Sequence, residues 1–430
     1  MAYNRIVTLL SLALPLIAAS APQATPELDL LANRAFRYFF EQSHPTTGLT
    51  KDRARNIGAV DSYTTASIAA TGYALTAYCI GVERGWMTHS QAQAKVRSTL
   101  SFLRTTAAKQ NGWFYHFVNW STGARVGSSE VSSIDTAILL ANAIAAVTYL
   151  GDSQSENELN QILGAVDWNW MLRNGGALPN SLTFCHGWRP ESGFIPFRWD
   201  SYSELAILVL LGYAYYPSMP TSSWAAVQRP IVVYQGIQVL SGGPLFMHQL
   251  SNNFVDFRAY RDNLGWNYWR ATYNQIQANR QYCITNPNSF AGYGPNFWGL
   301  SAGDSPFGYV AHGAPGWGVD NGTITPTATI ASLPYHPNIA NQAAQFFASN
   351  YSHAWGRYGI SNGINPSQNW VAPDVIGIDL GMMLQAIENH RTGMVHAYFM
   401  KTPAIQTGLS RMGFKQTKSE SFLPKLWDSP

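Results

Sequence analysis

Two kinds of helix-length segment alternate along the chain, and this alternation constrains the fold more than any other feature. The apolar segments comprise residues 65–81, 132–150 and 201–215, and the amphipathic ones residues 26–43, 88–109 and 156–173. A helix that is apolar on every side must be buried on every side, whereas an amphipathic helix keeps one face in water. The pattern therefore predicts an all-α fold, with an inner ring of helices packed inside an outer ring.

The same periodicity predicts four further helices, at residues 222–240, 263–281, 337–349 and 376–391. Strand signals are weak and limited to short pieces such as residues 229–235. No change of composition marks a linker between residue 27 and about residue 402. We therefore expect one domain over residues 27–402, with long loops at one end, and a peripheral polar tail over residues 403–430.

The N-terminus has the pattern of a secretory signal peptide. Arg5 precedes an apolar stretch over residues 6–18, and an Ala-Ser-Ala step follows at residues 19–21. Such a segment is removed on export and takes no part in the fold. We expect a signal peptide over residues 1–21 and a secreted, extracellular protein, or a periplasmic one in a Gram-negative host.

The composition excludes several classes of partner. The net charge is only +3, the charged fraction is 12%, and no basic run occurs, so neither nucleic acid nor a membrane surface is an expected partner. The three cysteines allow at most one disulfide, and no Cys or His spacing predicts a metal site. The aromatic fraction of 13% instead suits neutral ring-shaped ligands such as sugars, although aromatic residues also simply fill a large core. We expect a monomer without cofactor or metal.

Carboxylates stand at the heads of two apolar segments. Ser132 to Asp135 and Ser201 to Glu204 both have the Ser-x-x-acid form of a capping box, so each acid has a structural interpretation at a helix N-terminus. Glu130 precedes the expected cap, and capping explains it poorly. The alternative is that these acids line a cavity.

Aromatic loops lead into both heads. The first loop holds Trp113, Tyr115 and His116, and the second holds Trp188, Glu191 and Trp199. Rings that stack a sugar beside two acids are what cleavage of a glycosidic bond requires, because one carboxyl must donate a proton while the other acts as base or nucleophile. The sequence therefore predicts a sugar cleft at these loops.

Several blocks in the same order resemble the glycoamylase-like domain family, which contains secreted endo-β-1,2-glucanases and the related domain of cyclic β-1,2-glucan synthases. Among them are "ASIAATGYALTAYCIGVERGW" from residue 66, "DNGTITPTATIASLPYHP" from residue 320 and "APDVIGIDLGMMLQAIENHRTG" from residue 372. The resemblance covers about residues 27–402. It implies an (α/α)6 barrel that hydrolyses β-1,2-glucan to sophoro-oligosaccharides, with inversion and without a metal or cofactor.

The resemblance also implies roles for individual acids. Glu204 matches the family's acid after the Trp-rich loop and is our candidate general acid, with Glu191 as its rival. Glu130 and Asp135 match a Glu-x-x-x-x-Asp block; we take Glu130 as base and Asp135 as the residue that orients a hydroxyl or a water. Asp379 matches a late acidic position and is a sugar ligand, the base, or only a helix-entry acid.

The remaining candidates are substrate contacts. Arg258 either clamps the substrate or belongs to a salt bridge with Asp256 or Asp262, and the other expected contacts are Trp113, Tyr115, His116, Trp188 and Trp199. Three functions stay open: a β-1,2-glucanase, a hydrolase or transglycosylase of the same barrel for another glucan linkage, and a glycan-binding protein without activity.

Overall fold

In the computed structural model, which describes residues 25–417, the chain folds into two concentric rings of helices. The α-helices are α1 (Pro26–Glu41), α2 (Ile68–Glu83), α3 (His89–Thr105), α4 (Ser133–Leu150), α5 (Ser153–Ala165), α6 (Trp168–Leu172), α7 (Ala206–Tyr215), α8 (Phe246–Gln249), α9 (Tyr268–Thr285), α10 (Pro326–Ile330), α11 (Pro337–Asn350), α12 (Gly377–Arg391), α13 (Met394–Met400) and α14 (Pro403–Arg411). Short 3-10 helices span Asn174–Gly176, Ser251–Asn253, Phe257–Ala259, Ser352–Ala354 and Pro366–Gln368. The predicted signal peptide, residues 1–21, lies outside the described residues.

The inner ring is formed by α2, α4, α7, α8 with its following 3-10 turn, α10 and α12. Almost every residue of α2 and α4 is buried, whereas α1, α3 and α5 bury one face each. This distribution of burial is what the alternation of segments predicts. The expected all-α (α/α)6 barrel is therefore confirmed.

The inner helices approach one another closely because small residues lie between them. A Cβ atom on Gly72 of α2 would lie 2.7 Å from the Cα of Leu139 in α4, and one on Gly381 of α12 would lie 2.2 Å from the ring of Tyr73. Buried polar side chains join the same three helices. Gln385 donates to Asn142 at 2.6 Å, and Thr76 donates to Asn142 at 2.7 Å.

Strands are short, antiparallel and confined to the connections. The pairs are Arg53–Arg55 with Asp374–Ile376, Thr65–Ser67 with Phe117–Asn119, Lys109–Gln110 with Trp113–Phe114, Ile231–Tyr234 with Ile237–Leu240, Tyr260–Arg261 with Lys415–Gln416, Ala302–Ser305 with Gly308–Ala311, Trp355–Gly356 with Gly359–Ile360 and Ile364–Asn365 with Trp370–Val371. Val131–Ser132, Gly187–Arg189 and Gly193–Phe194 form a three-stranded sheet. Three of these strands run directly into α2, α4 and α12, so they fix the N-terminal ends of the inner helices at one end of the barrel.

The predicted helix at residues 222–240 is wrong. That segment forms turns and then the hairpin Ile231–Tyr234 with Ile237–Leu240. Three consecutive β-branched residues follow Pro230, which cannot donate a backbone hydrogen bond inside a helix. Gln235 and Gly236 have φ angles of 47° and 80°, as a tight two-residue hairpin turn requires.

The expected boundary of the domain at residue 402 is also too early. Residues 403–416 belong to the barrel, because α14 packs along α7 on its outer side and buries Ile405 and Leu409. Phe414, 5% exposed, packs against Trp224 and Tyr268. The spacing of these apolar residues within a polar segment is the signal that indicates an amphipathic helix.

Within residues 25–417, one helix has the length and apolarity of a membrane span. This helix is α4, with a mean hydropathy of 1.5 over 18 residues. Within the fold 83% of the helix is buried by other protein segments. The core helix of a helical barrel has the same composition as a membrane span, because both are surrounded by apolar groups.

We expect the contact of α2 with α4 to tolerate no added methyl group. Substitution of Gly72→Ala should lower the free energy of unfolding by about 1–3 kcal/mol, because the new Cβ overlaps the backbone of α4. The matched control is Gly164→Ala in α5, where a Cβ meets nothing within 4 Å. Since alanine favours helix more than glycine, this control should be neutral or stabilising by roughly 0.5–1 kcal/mol. Chemical denaturation of both variants checks the pair, and equal stability of the two would contradict the close packing.

Candidate active site

The candidate acids converge at the end of the barrel where the inner helices begin. Asp135 is the third residue of α4, Asp379 is the third residue of α12, and Glu204 lies two residues before the start of α7. Tyr73 of α2 interacts electrostatically with both Asp379 and Asp135, and Glu204 does so with Asp135. We call this end of the barrel, with these side chains and the loops around them, the acidic cleft.

Glu204 does not cap a helix. The segment from Ser201 to Leu205 forms turns, and α7 has no side-chain cap, so the capping interpretation of Ser201 and Glu204 is wrong. The carboxyl instead faces a pocket of about 310 Å³ that Trp199, Phe246 and Trp317 also line; we call it the Glu204 pocket. Burial, helped by the nearby charge of Asp135, raises the pKa of Glu204 to about 7.

Asp135 combines a structural contact with a place in the cleft. The hydroxyl of Ser132 accepts a hydrogen bond from the Asp135 backbone N–H at 3.2 Å and donates one to its Oδ2 at 2.5 Å. The other carboxylate oxygen lies 3.5 Å from Nε2 of His116. Asp135 therefore belongs to the cap of α4 and also points into the cleft.

His116 links Asp135 to Glu130. Its Nδ1 lies 3.1 Å from Glu130 Oε1, and Arg189 approaches the other Glu130 oxygen at 3.5 Å. Burial lowers the pKa of His116, but the carboxylates of Asp135 and Glu130 outweigh it and raise that pKa to about 9. The hydrogen bond from His116 in turn lowers the pKa of Glu130 to about 2. The imidazolium thus holds Glu130 firmly ionised at neutral pH.

Asp379 has the opposite environment. It is 6% exposed and lies in the first turn of α12, as the helix-entry interpretation expects, although its side chain does not cap that helix. Asn362 Nδ2 donates to its Oδ2 at 2.5 Å. Burial, which outweighs this hydrogen bond, and the charges of Asp304 and Asp52 raise the pKa of Asp379 to about 7.

Three charged residues near Asp379 were missed by the sequence interpretation. Arg53 lies 3.1 Å from Asp52 and donates two bonds to Asp304 at 3.0 and 3.2 Å. We call these three residues with Asn362 and Asp379 the Asp379 cluster. Asp52 and Arg53 also line an adjoining pocket of about 430 Å³. The signal that could have found them is the dense charge of "KDRAR" from residue 51 in a chain with only 12% charged residues.

The predicted aromatic contacts divide between cleft and core. Trp199 lines the Glu204 pocket, and Trp188 is half-buried against Trp170. Trp113 is fully buried, donates to the carbonyl of Asp167 and packs against Trp168, so its prediction as a substrate contact is wrong. This indole is part of the hydrophobic core. A sequence pattern does not distinguish an aromatic residue of the core from one that lines a cleft.

Tyr115, Glu191 and Arg258 each have a charged partner other than the acids of the cleft. Tyr115 is 9% exposed and lies under the guanidinium of Arg125. Glu191 is an exposed rim residue, and its ion pair with Arg125 lowers its pKa, which disfavours it as a proton donor.

Arg258 follows the 3-10 turn after α8. Its guanidinium binds Asp256 at 2.6 and 2.7 Å and lies over Trp269, so the salt-bridge alternative with Asp256 describes it. Asp256 itself interacts with His396 of α13.

Within residues 25–417, no group of three or more His, Cys, Asp and Glu side chains has an arrangement that could hold a metal ion. The three cysteines, Cys79, Cys185 and Cys283, are buried and unpaired.

Known proteins resemble the chain over most of its length. Residues 196–403 match the family model "Glycoamylase", whose description reads "Putative glucoamylase". An exo-β-1,2-glucooligosaccharide sophorohydrolase (non-reducing end) from Parabacteroides distasonis is 27% identical over 90% of this chain, and the chain spans 57% of the length of that relative.

Two solved structures have the same fold with a TM-score of 0.83 each. One, from Bacteroides uniformis, carries the same description as the family model; it is 29% identical, and the match covers 92% of this chain and 99% of that one. The other is an endo-β-1,2-glucanase from Chitinophaga pinensis in complex with sophorotriose and glucose; it is 25% identical, and the match covers 91% of this chain and 98% of that one. The predicted resemblance to the glycoamylase-like family is therefore confirmed.

Proposed function

We propose that the protein is a glycoside hydrolase that cleaves β-1,2-glucan to sophoro-oligosaccharides by paired acid and base catalysis. The observation that carries this proposal is the pair of carboxyls with pKa values near 7, Glu204 and Asp379, at the heads of two inner helices. A hydrolase needs one protonated and one ionised carboxyl at the pH where it works. The names of the similar proteins, two of which act on β-1,2-linked glucans, support the substrate class.

Glu204 is the general acid of this proposal. Its carboxyl is mostly protonated below pH 7, because burial raises its pKa to about 7. A neutral carboxyl can protonate the glycosidic oxygen as the bond to the sugar breaks. The rival, Glu191, is ionised by Arg125 and exposed.

Asp379 is a better base than Glu130, which was our first choice. A carboxylate accepts a proton more readily when its pKa is high, and the pKa of Asp379 is about 7 whereas that of Glu130 is about 2. Asn362 orients the Asp379 carboxylate through its hydrogen bond. Asp379 then activates a water that attacks the anomeric carbon on the face opposite to the leaving oxygen, which gives inversion.

The ionised groups around this pair bind the sugar hydroxyls in our proposal. His116 keeps Glu130 ionised, so Glu130 accepts hydrogen bonds from hydroxyl groups, and the Asp135 carboxyl lies 3.5 Å from the same imidazole. Arg53, held between Asp52 and Asp304, offers a donor beside Asp379.

Two alternatives remain distinct in their products. The description of the family model as a glucoamylase favours testing another glucan linkage, and transfer to a second sugar competes with hydrolysis if water is excluded. An inactive glycan-binding protein is the least supported, because binding alone gives no reason to keep Glu204 and Asp379 buried without cations.

Export remains part of the proposal, because a polysaccharide substrate lies outside the cell and residues 1–21 have the pattern of a signal peptide. The proposal also keeps the protein monomeric, and without cofactor or metal. Cell fractionation and light scattering of the mature protein test these two points.

The first experiment is incubation with a panel of purified glucans. We expect linear β-1,2-glucan to yield short sophoro-oligosaccharides, while starch, β-1,3-glucan and β-1,4-glucan remain intact. Cleavage of starch alone would replace the proposed linkage with that of a glucoamylase. Excess transfer products over new reducing ends would identify a transglycosylase.

Glu204→Gln should lower turnover of β-1,2-glucan by roughly a thousandfold, because the leaving oxygen then receives no proton. Hydrolysis of β-sophorosyl fluoride should fall far less, since fluoride leaves without protonation. Steady-state rates on both substrates check this, and loss of both activities in a folded variant would contradict the assignment of the acid.

Asp379→Asn and Glu130→Gln form a matched pair for the base. We expect Asp379→Asn to lower kcat by about 10²–10⁴-fold and Glu130→Gln to act mainly through weaker binding. In the wild type, kcat/KM should fall below about pH 7 as Asp379 is protonated and above about pH 7 as Glu204 ionises. If Glu130→Gln abolished turnover while Asp379→Asn retained it, Glu130 would be the base.

The buried carboxyl of Glu204 should also lower the stability of the folded protein at high pH. The folded-state pKa of Glu204, about 7, exceeds its ordinary value of 4.5, so the folded protein binds more protons between these values and loses stability as the pH rises through them. Glu204→Gln should therefore raise the melting temperature, relative to wild type, more at pH 8 than at pH 4. Glu191→Gln, whose carboxyl has a lowered pKa, should show no such gain. Equal shifts at both pH values would contradict the raised pKa.

A further inference from the structure

Trp317 is an indole that the sequence interpretation did not select. It is 49% exposed, although large aromatic side chains are usually well buried, and it lines the pocket that contains the carboxyl of Glu204. An exposed ring beside an acid needs an explanation, because exposing it to water costs free energy that burial would recover.

The backbone holds this ring in place. Trp317 lies between Gly316 and Gly318, both with positive φ, on a loop that packs against Gly242 and Gly243. The Gly243 N–H donates to the carbonyl of Pro315 at 3.0 Å. A Cβ atom on Gly243 would lie 2.7 Å from the Trp317 ring. One part of the ring therefore lies directly on the Gly243 backbone, and its exposure does not result from a loosely held side chain.

Trp199 supplies a second fixed indole to the same pocket. Its Nε1 donates to the hydroxyl of Ser133 at 2.9 Å, and its ring stacks on His186 with centroids 3.9 Å apart. Phe246 and Met247 add apolar wall. A pocket that combines two fixed indoles with polar and charged side chains such as Glu204 and Asp200 suits a neutral sugar, whose CH faces stack on aromatic rings while its hydroxyls form hydrogen bonds.

The Glu204 pocket contains the acid of the proposed pair but not its base. Of the described residues that line it, none belongs to the Asp379 cluster. In an inverting reaction the base and its water lie on the face of the anomeric carbon opposite to the leaving oxygen. Because the pocket contains the acid without the base, we assign it to the sugar that departs.

We infer that Trp317 is the stacking platform of the leaving-sugar subsite and sets the affinity for the sugar that Glu204 protonates. The inference rests on the proposed function, with Glu204 as acid and Asp379 as base. No covalent step involves the indole. Its contribution is the binding of the leaving sugar in the orientation that brings the glycosidic oxygen to Glu204.

Two substitutions distinguish the effect of the aromatic ring of Trp317 from the effect of its size. Trp317→Leu keeps an apolar side chain without a ring, and Trp317→Phe keeps a ring. We expect Trp317→Leu to raise KM for β-1,2-gluco-oligosaccharides roughly tenfold, because one stacking contact is lost. Trp317→Phe should retain most of the wild-type affinity. Phe40 on α1, a ring that is 42% exposed, provides the matched control outside the cleft. Phe40→Leu should leave kcat and KM unchanged.

β-Sophorosyl fluoride shows on which side of the scissile bond Trp317 binds a sugar. Hydrolysis of β-sophorosyl fluoride places no sugar in the leaving subsite, so Trp317→Leu should leave its KM nearly unchanged. If both substrates lost affinity equally, or if neither did while wild type and variant melted alike, the inference would be overturned. An inactive wild type on every glucan would overturn the proposed function instead, so the two failures are distinguishable.

Discussion

The close approach of the inner helices is the constraint on which the rest of the molecule depends. Gly72 allows the backbone of α2 to lie against α4, and Gly381 leaves room for the Tyr73 ring beneath α12. Buried amides then join these helices, as Gln385 does with Asn142. Because the inner helices begin at the same end, their close packing also brings together the side chains that precede or open them.

This arrangement brings several carboxylates into a largely buried region. The neighbours of each carboxylate then determine its pKa. Glu130 lies beside His116 and stays ionised. A carboxylate that forms an ion pair with an arginine stays ionised for the same reason. Glu204 and Asp379 receive no cation in direct contact and have pKa values near 7. One cleft thus contains both a carboxylate with a pKa of about 2 and two carboxyls with pKa values near 7. Burial raises the pKa values of Glu204 and Asp379, because it penalises a charge that nothing neutralises, whereas the hydrogen bond from His116 lowers that of Glu130.

Much of the fold could be predicted, because periodicity reports burial directly. The apolar segments at residues 65–81 and 132–150 contain α2 and α4. The failure at residues 222–240 has a local cause, since a run of β-branched residues around a tight turn also satisfies a loose apolar pattern. Prediction of the site was less complete. Glu204 and Asp379 stand beside recognisable helices, whereas Arg53 and Trp317 lie in connections where no periodicity indicates which side chains meet.

By itself the sequence determined the alternation of buried and amphipathic helices, the positions of the acids relative to the inner helices and the supply of aromatic rings. Only the tertiary structure decided which carboxylate has a cation and which does not. Arg53 meets Asp304 across 251 residues, and Asn362 orients Asp379 from another loop. A pKa depends on charges and solvent within a few ångströms, and such neighbours come from distant parts of the chain. The identity of an acid can therefore be read from the sequence, but its protonation state is set by the fold.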